Sequence, residues 1–346
     1  MKDNNRNEIL NLLKEKSPLS SKEIFEGIIS NVSYATVKRI LSQLINESLI
    51  ISEGTGKASK YFISPSYQLI FPIDINKYFE KEIDERVITK NFNLSLINNT
   101  LNKTEVFTND DLQKLKILQK QFEENISKLS KFEYAKEMER LAIDLSWKSS
   151  QIEGNTYSLL ETEQLLKEKI TATGKTKDDA VMLLNHKEAI DFIVENTDYL
   201  KPLFVSRIED IHSLLMKELG VDRNIRIRKV GISGTNYVPL DNEFQIRETL
   251  LEMCELINNK TNVFEQSLFA IVLLSYIQPF VDGNKRTALI IGNAILIANG
   301  YCPISFRTVD SIDYKKAMLI FYEQNNISAF KEIFINQYRF AVENYF

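Results

Sequence analysis

The stretch Gln278-Pro279-Phe280-Val281-Asp282-Gly283-Asn284-Lys285-Arg286 concentrates the side chains that could do chemistry. Gly283 lets the backbone approach a ligand closely, and a helix expected from Arg286 to Asn299, stopped by Gly300, leaves its first amides unpaired and pointing outward. Lys285 and Arg286 place positive charge where phosphate oxygens would sit. Asp282 can hold a magnesium ion (Mg2+) that bridges phosphates, and Asn284 can donate to another phosphate oxygen. Pro279 shapes the bend and Phe280 is expected as its buried anchor. The turn has the chemistry of an anion nest. Gln278 sits at its mouth, and an amide can orient a hydroxyl or a water but has no useful basicity near pH 7. His186 and His212 are the only histidines; both lie in helical patterns well upstream and are read as structural.

Elements must hold this turn in place. Residues 262–277 carry a dense apolar pattern (Val263, Leu268, Ile271, Val272, Leu274, Tyr276) and are expected as the helix that enters it. The near-continuous apolar surface of the helix that leaves it marks a central, buried element. Upstream, a helical pattern from Phe132 ends in Ser149-Ser150-Gln151-Ile152-Glu153-Gly154-Asn155; Ser149 and Glu153, four apart, share a face, and Gly154 suits a helix end. Gly174-Lys175-Thr176 is a polar loop and not the end of a P-loop, because Lys169 stands where a glycine is required and no strand precedes it.

The run at 278–286 resembles the signature of the Fic protein family (Fic/Doc, or Fido, domains), with glutamine in place of the catalytic histidine. The resemblance covers about residues 130–335 and implies a mainly α fold: an all-helical core with a small β-hairpin flap. It implies transfer of AMP from ATP to a hydroxyl of a target protein or of the chain itself, with the first motif residue taking the hydroxyl proton; Gln278 holds that position. Ser149, Glu153 and Gly154 resemble the family's inhibitory motif, carried here in the same chain within 131–154, whose glutamate obstructs a nucleotide's γ-phosphate. The residues around Gly234, Thr235, Asn236 and Tyr237 resemble the flap that registers the target by backbone pairing. Two departures stand out. Leu289 replaces a second arginine that many relatives use both for the γ-phosphate and to pair with the inhibitory glutamate, and Lys285 together with Leu289 is closer to the Doc branch, which phosphorylates its target. ATP, ADP or AMP can still bind, so the expectation is a nucleotide-binding protein with weak or absent transfer. The alternatives are an active AMP- or phospho-transferase, including one silenced by a substitution at 278, and a nucleotide-responsive DNA-binding regulator.

Residues 1–63 pattern as three helices (5–15, one opening at the Ser20/Glu23 capping box, and 33–48) followed by a hairpin around Gly54 and Gly56, and resemble a winged helix-turn-helix. Ser33, Tyr34, Thr36, Lys38 and Arg39 would front the recognition helix, and Lys57 and Lys60 the wing, where they could meet DNA phosphates. Basic residues outnumber acidic ones only nine to seven over 1–62, so dimerisation or docking competes with DNA binding as the role of this unit. Residues 64–130 are expected as a mostly helical connector, with a stripe of Leu112, Leu115, Leu118 and Phe122; the core then runs 131–335, with a helical tail 336–346.

The chain has 346 residues, 44% of them hydrophobic, a net charge of −4 and no apolar export or membrane-spanning segment, which points to a soluble cytoplasmic protein without a global basic field. Cys254 and Cys302 lie in no metal or redox spacing and are expected as buried thiols.

Overall fold

Amphipathic spacing organises the N-terminal unit. The computed structural model describes residues 2–346; Met1 and the side chains of Lys2, Asp3 and Lys57 lie outside the described residues. Helix α1 (Lys2–Lys16) buries Ile9, Leu10 and Leu13, and α3 (Tyr34–Asn46) buries Val37, Ile40, Leu41 and Leu44. Between them α2 (Ser21–Gly27) opens with the capping box read from the sequence: Ser20 Oγ accepts from the Glu23 amide at 3.2 Å and Glu23 accepts from the Ser20 amide at 2.6 Å. The hairpin is β2 (Ile50–Glu53) against β3 (Lys60–Ile63), with Ile50 opposite Ile63. A two-residue β1 (Leu19–Ser20) pairs with the other edge of β3, giving an antiparallel sheet ordered β1-β3-β2. Two residues are too few to carry a readable alternation, so this strand left no signal in the sequence.

The connector's helices are mostly short and broken before its last one. α4 (Tyr67–Ile70), α5 (Ile75–Phe79), two 3-10 turns (Ile83–Glu85, Leu101–Lys103) and a π-helical turn (Leu96–Thr100) precede α6 (Asn109–Ile126), which buries Leu115, Leu118 and Phe122. Pro65, Pro72 and the asparagine-rich run before residue 103 oppose a continuous helix. The extended backbone instead finds partners on the core: the Thr89 amide donates to Glu323 O at 2.9 Å, the Asn93 amide to the Tyr276 hydroxyl at 3.0 Å, and Lys90 O accepts from the Val238 amide at 2.7 Å.

The core is built from α7 (Lys131–Ile152), α8 (Leu159–Glu168), α9 (Lys177–Glu195), α10 (Val205–Leu215), α11 (Glu243–Asn259), α12 (Val263–Ile277), α13 (Asn284–Ala298), α14 (Ser311–Gln324) and α15 (Ser328–Asn344). The hairpin α12–α13 is central, with nearly every side chain of both helices buried. Gly292 lets the pair close up: a Cβ there would lie 2.5 Å from Ile271 Cγ1, and Ser267 Oγ donates to Gly292 O across the contact at 2.9 Å. The break expected at residue 335 falls inside α15, which runs on without interruption. The flap is also corrected. Residues 230–239 form no hairpin; they make an irregular loop with a turn at Ser233–Gly234 and a single parallel bridge from Val238 to Asn91 of the connector. The connector takes the backbone pairing that a second hairpin strand would have used. Among the described residues no helix is long and apolar enough to cross a membrane.

Candidate active site

Helix α12 ends because Gln278 adopts a left-handed conformation (φ 52°, ψ 58°), which turns the chain into the loop that α13 resumes from. The loop is stapled from inside. Asn284 Oδ1 accepts from the Phe280 amide at 2.9 Å, while its Nδ2 donates to Phe280 O at 2.8 Å and to Gln278 Oε1 at 3.0 Å. The Gln278 Nε2 donates back to Ser275 O at 2.6 Å. Asn284 is thus spent on loop geometry, and the phosphate contact expected of its amide would require breaking these bonds. Gly283 is favoured by its backbone, whose φ is 76°; a Cβ would also fall 2.5 Å from Met216 Cε, the movable end of that side chain, which would have to shift. Its own amide is taken by Asp282 Oδ1 at 2.7 Å. The amides of Asn284, Lys285 and Arg286 form the first turn of α13 and have no intrahelical acceptor.

Phe280 is fully buried, as expected of an anchor, and lies flat on the His212 ring with centroids 3.6 Å apart. His212 Nε2 faces Asp282 O at 3.0 Å and Nδ1 faces Arg223 O at 3.1 Å. Burial holds its pKa below the ordinary value, and a neutral ring donates to one of these carbonyls at a time. From the other side, buried Arg226 donates its Nε to Gln278 O at 2.6 Å and its amide to Pro279 O at 3.0 Å. The sequence reading did not find Arg226; an arginine in an irregular segment carries no local signal that it is buried.

The charges converge on Glu153. Glu153 is the C-cap residue of α7, ahead of Gly154 at φ 99°, and its carboxylate meets Lys285 Nζ at 3.4 Å and Arg286 Nε at 3.4 Å. Arg286 is wholly buried and also reaches Asp282 Oδ2 at 3.2 Å. Leu289 is buried among apolar neighbours, so Glu153 has no arginine there, but it is not without one: it takes the two cations of the loop itself. Ser149 shares the α7 face, with its hydroxyl buried and unpartnered.

Gln278, Asp282, Gly283, Asn284, Lys285 and Glu153 border a cleft of about 530 Å³, with Arg286 buried behind Glu153. One wall is the loop from Val281 to Lys285 with Gln278, another is Glu153 and Gly154, a third is Gly231 to Gly234, and the last is α14 through Lys315, Met318, Leu319 and Tyr322. Of the four flap residues read from the sequence, Gly234 alone lines the cleft. Thr235 Oγ1 accepts from the Tyr237 amide at 3.1 Å, Asn236 donates to Asp84 at 2.9 Å, and Tyr237 turns inward, stacked on Tyr276 at 4.8 Å.

The N-terminal candidates lie apart from this cleft. Ser33 caps α3 through the Thr36 amide at 3.1 Å, Tyr34 bonds Ser21 at 2.7 Å, and Lys38 sits 5.1 Å over the Tyr34 ring. Lys60 is paired with Glu23 at 2.7 Å, and Arg39 is exposed beside Arg6 and Gln43. Lys57 cannot be placed beyond its backbone, its side chain lying outside the described residues.

Residues 202–296, spanning α10 to most of α13, match the family model described as the Fic/DOC family. The chain carries a Fic/DOC domain. In sequence it is 28% identical over 172 residues to the protein adenylyltransferase Fic of Nematostella vectensis, covering 48% of this chain and 40% of that one. It is 27% identical over 161 residues to the protein adenylyltransferase fic-1 of Caenorhabditis briggsae, covering 44% and 31%. The chain therefore spans less than half of the length of these relatives. In structure it is similar to Fic-1 of C. elegans (TM-score 0.59, 19% identity, 68% of this chain and 72% of that chain). A Fic-domain signalling protein of Bacteroides thetaiotaomicron gives a TM-score of 0.58 at 18% identity, over 66% and 94%. The mainly α Fic fold expected from the motif is the fold of this chain.

One buried group of α9 reports on acid stability. His186 is inaccessible, neither ring nitrogen has a partner, and burial together with the nearby Arg286 charge pushes its pKa down to about 3. The unfolded chain binds this proton near pH 6.5 and the folded chain does not, so stability is lost as pH falls from about 6.5 towards 3. Between pH 7 and pH 5 the residue is expected to cost about 2 kcal/mol. Urea unfolding of the native chain and of His186→Leu at both pH values checks this: the native chain should lose about 2 kcal/mol more than the variant, and an identical pH dependence would refute it.

Proposed function

We propose that the cleft binds an adenine nucleotide (ATP, ADP or AMP) with its phosphates on Lys285, Arg286 and the first amides of α13, and that the chain belongs functionally with the AMP-transferring Fic proteins but transfers slowly, because Gln278 cannot take a proton. One observation carries this reading: a carboxylate, Glu153, already sits where both loop cations point. It stands in for the anion the nest was built to receive. Asp282 is a single, half-exposed carboxylate already bonded to Arg286, so it would hold magnesium only together with the nucleotide's own phosphates. The names of the sequence relatives support a hydroxyl-bearing protein, or the chain itself, as acceptor.

Because Glu153 occupies the cations and not a separate γ-phosphate clamp, it competes with ADP as well as ATP. Glu153→Gly is expected to tighten both about tenfold, the scale of one charge-assisted contact, measured by titration calorimetry with magnesium present. Tightening of ATP alone would mean obstruction at the γ-phosphate. No binding of either nucleotide by either protein would overturn the functional reading.

A further inference from the structure

We propose that the hydroxyl of Tyr322 is a hydrogen-bond donor to a phosphate oxygen of the nucleotide, a contact that rests on the functional reading above and that neither the motif nor the loop supplies. Tyr322 stands on α14 and lines the cleft together with Gln278 and Glu153. Its ring is fixed in a stack, 5.7 Å from Tyr237 and 6.2 Å from Tyr276 at interplanar angles of 23° and 22°. The side chain is 1% exposed and, among the described residues, its hydroxyl makes no well-formed hydrogen bond. The hydroxyl lies beside the side chains of Gln278 and Ser275 and feels the charge of Glu153.

Both neighbours lie near enough to interact with it weakly, and neither makes a well-formed hydrogen bond to it. Gln278 directs its Nε2 to Ser275 O and its Oε1 to Asn284. The Ser275 hydroxyl is itself buried and unpartnered. An unpaired buried hydroxyl on an immobilised ring costs stability, and such a group calls for an explanation in what the site binds. Burial and the Glu153 charge raise its pKa, so the phenol stays protonated: it donates and does not act as a base. When a phosphate displaces Glu153 from Lys285 and Arg286, an oxygen-rich group replaces the carboxylate next to this donor.

The test uses the full chain and Tyr322→Phe, which keeps the ring and removes only the oxygen. Calorimetry with ADP and with inorganic diphosphate, each with magnesium, is expected to show Kd raised about tenfold for both probes. Thermal unfolding without ligand is expected to show Tm unchanged or higher, since an unsatisfied group has been removed; a purely structural hydroxyl would lower Tm. Ser275→Ala, which removes the neighbouring hydroxyl but does not face the cleft, should leave ADP affinity unchanged. Equal ADP affinity in native and Tyr322→Phe proteins overturns this inference alone, and a loss seen with ADP but not with diphosphate overturns the phosphate assignment. If the native chain binds no ADP, the nucleotide reading fails and takes this inference with it.

Discussion

Gln278→His is expected to raise label transfer from ATP to protein by ~10²–10⁴, the usual contribution of a positioned general base. The backbone at 278 is left-handed, a conformation in which histidine is among the better tolerated side chains, so the exchange should leave the loop in place. No histidine of the native chain can substitute. His212 is stacked on Phe280 with both nitrogens turned to backbone carbonyls, and His186 is sealed from solvent. The comparison is cleanest in a Glu153→Gly background, where the cations are open. ATP labelled at the α- or the γ-phosphate tells AMP transfer from phosphorylation, and Gln278→Asn, which keeps an amide and tolerates the left-handed backbone, should stay as slow as the native chain because an amide moves no proton. A native chain that labels as fast as the histidine variant would show that another group accepts the proton.

What could be read from residues alone was set by how local the signal is. The loop at 278–286 is a contiguous run whose glycine, cations and apolar residue lie within a single turn; in the structure Phe280 is buried, Gly283 has a positive φ, and Lys285 and Arg286 both meet Glu153. Capping at Ser20 and the stripes of α3 and α6 are likewise short-range patterns. Asn284 shows the limit. Its type suits a phosphate ligand and a loop staple equally, and only tertiary geometry reveals that all its donors and acceptors face its own loop. Residues that act from a distance were illegible for the same reason. Arg226, Tyr322 and Arg86 lie 52, 44 and 192 residues from Gln278 in sequence, Arg226 and Arg86 in irregular segments and Tyr322 on α14.

The departure at position 289 also changes meaning once Glu153 is located. In the proposed reading, an arginine there would let a carboxylate at 153 block the terminal phosphate while leaving the loop cations free for shorter nucleotides; with leucine, Glu153 pairs with Lys285 and Arg286 themselves, so it would compete for the whole phosphate site. Glu153 is mostly buried, so the pairing is little screened by solvent, and relief requires an anion that offers the same cations more than one oxygen.

Arg86→Met is expected to destabilise the fold by about 3–5 kcal/mol, because it strands a buried charge. Arg86 belongs to the connector, and its guanidinium is 3% exposed, in ionic contact at 3.2 Å with Glu323, which is inaccessible on α14. Its Nη2 also donates to Gly234 O at 2.8 Å, so one side chain ties the connector to two walls of the cleft. Without it, Glu323 keeps only the Tyr78 hydroxyl, at 2.6 Å, as a side-chain donor in close contact with its carboxylate. The double variant Arg86→Met, Glu323→Leu removes the stranded charge and should recover most of the lost stability, since a buried pair exchanged for apolar groups is often neutral. It should not recover the loop: Gly234 O still lacks its donor, so amide exchange over residues 231–238 should stay faster than native in both variants, and ADP should bind more weakly in both. Urea unfolding and hydrogen exchange separate the two effects. A single variant as stable as the native chain would mean that the ion pair is not desolvated as its burial implies, and native exchange rates in the double variant would show that the connector does not hold the cleft's outer wall.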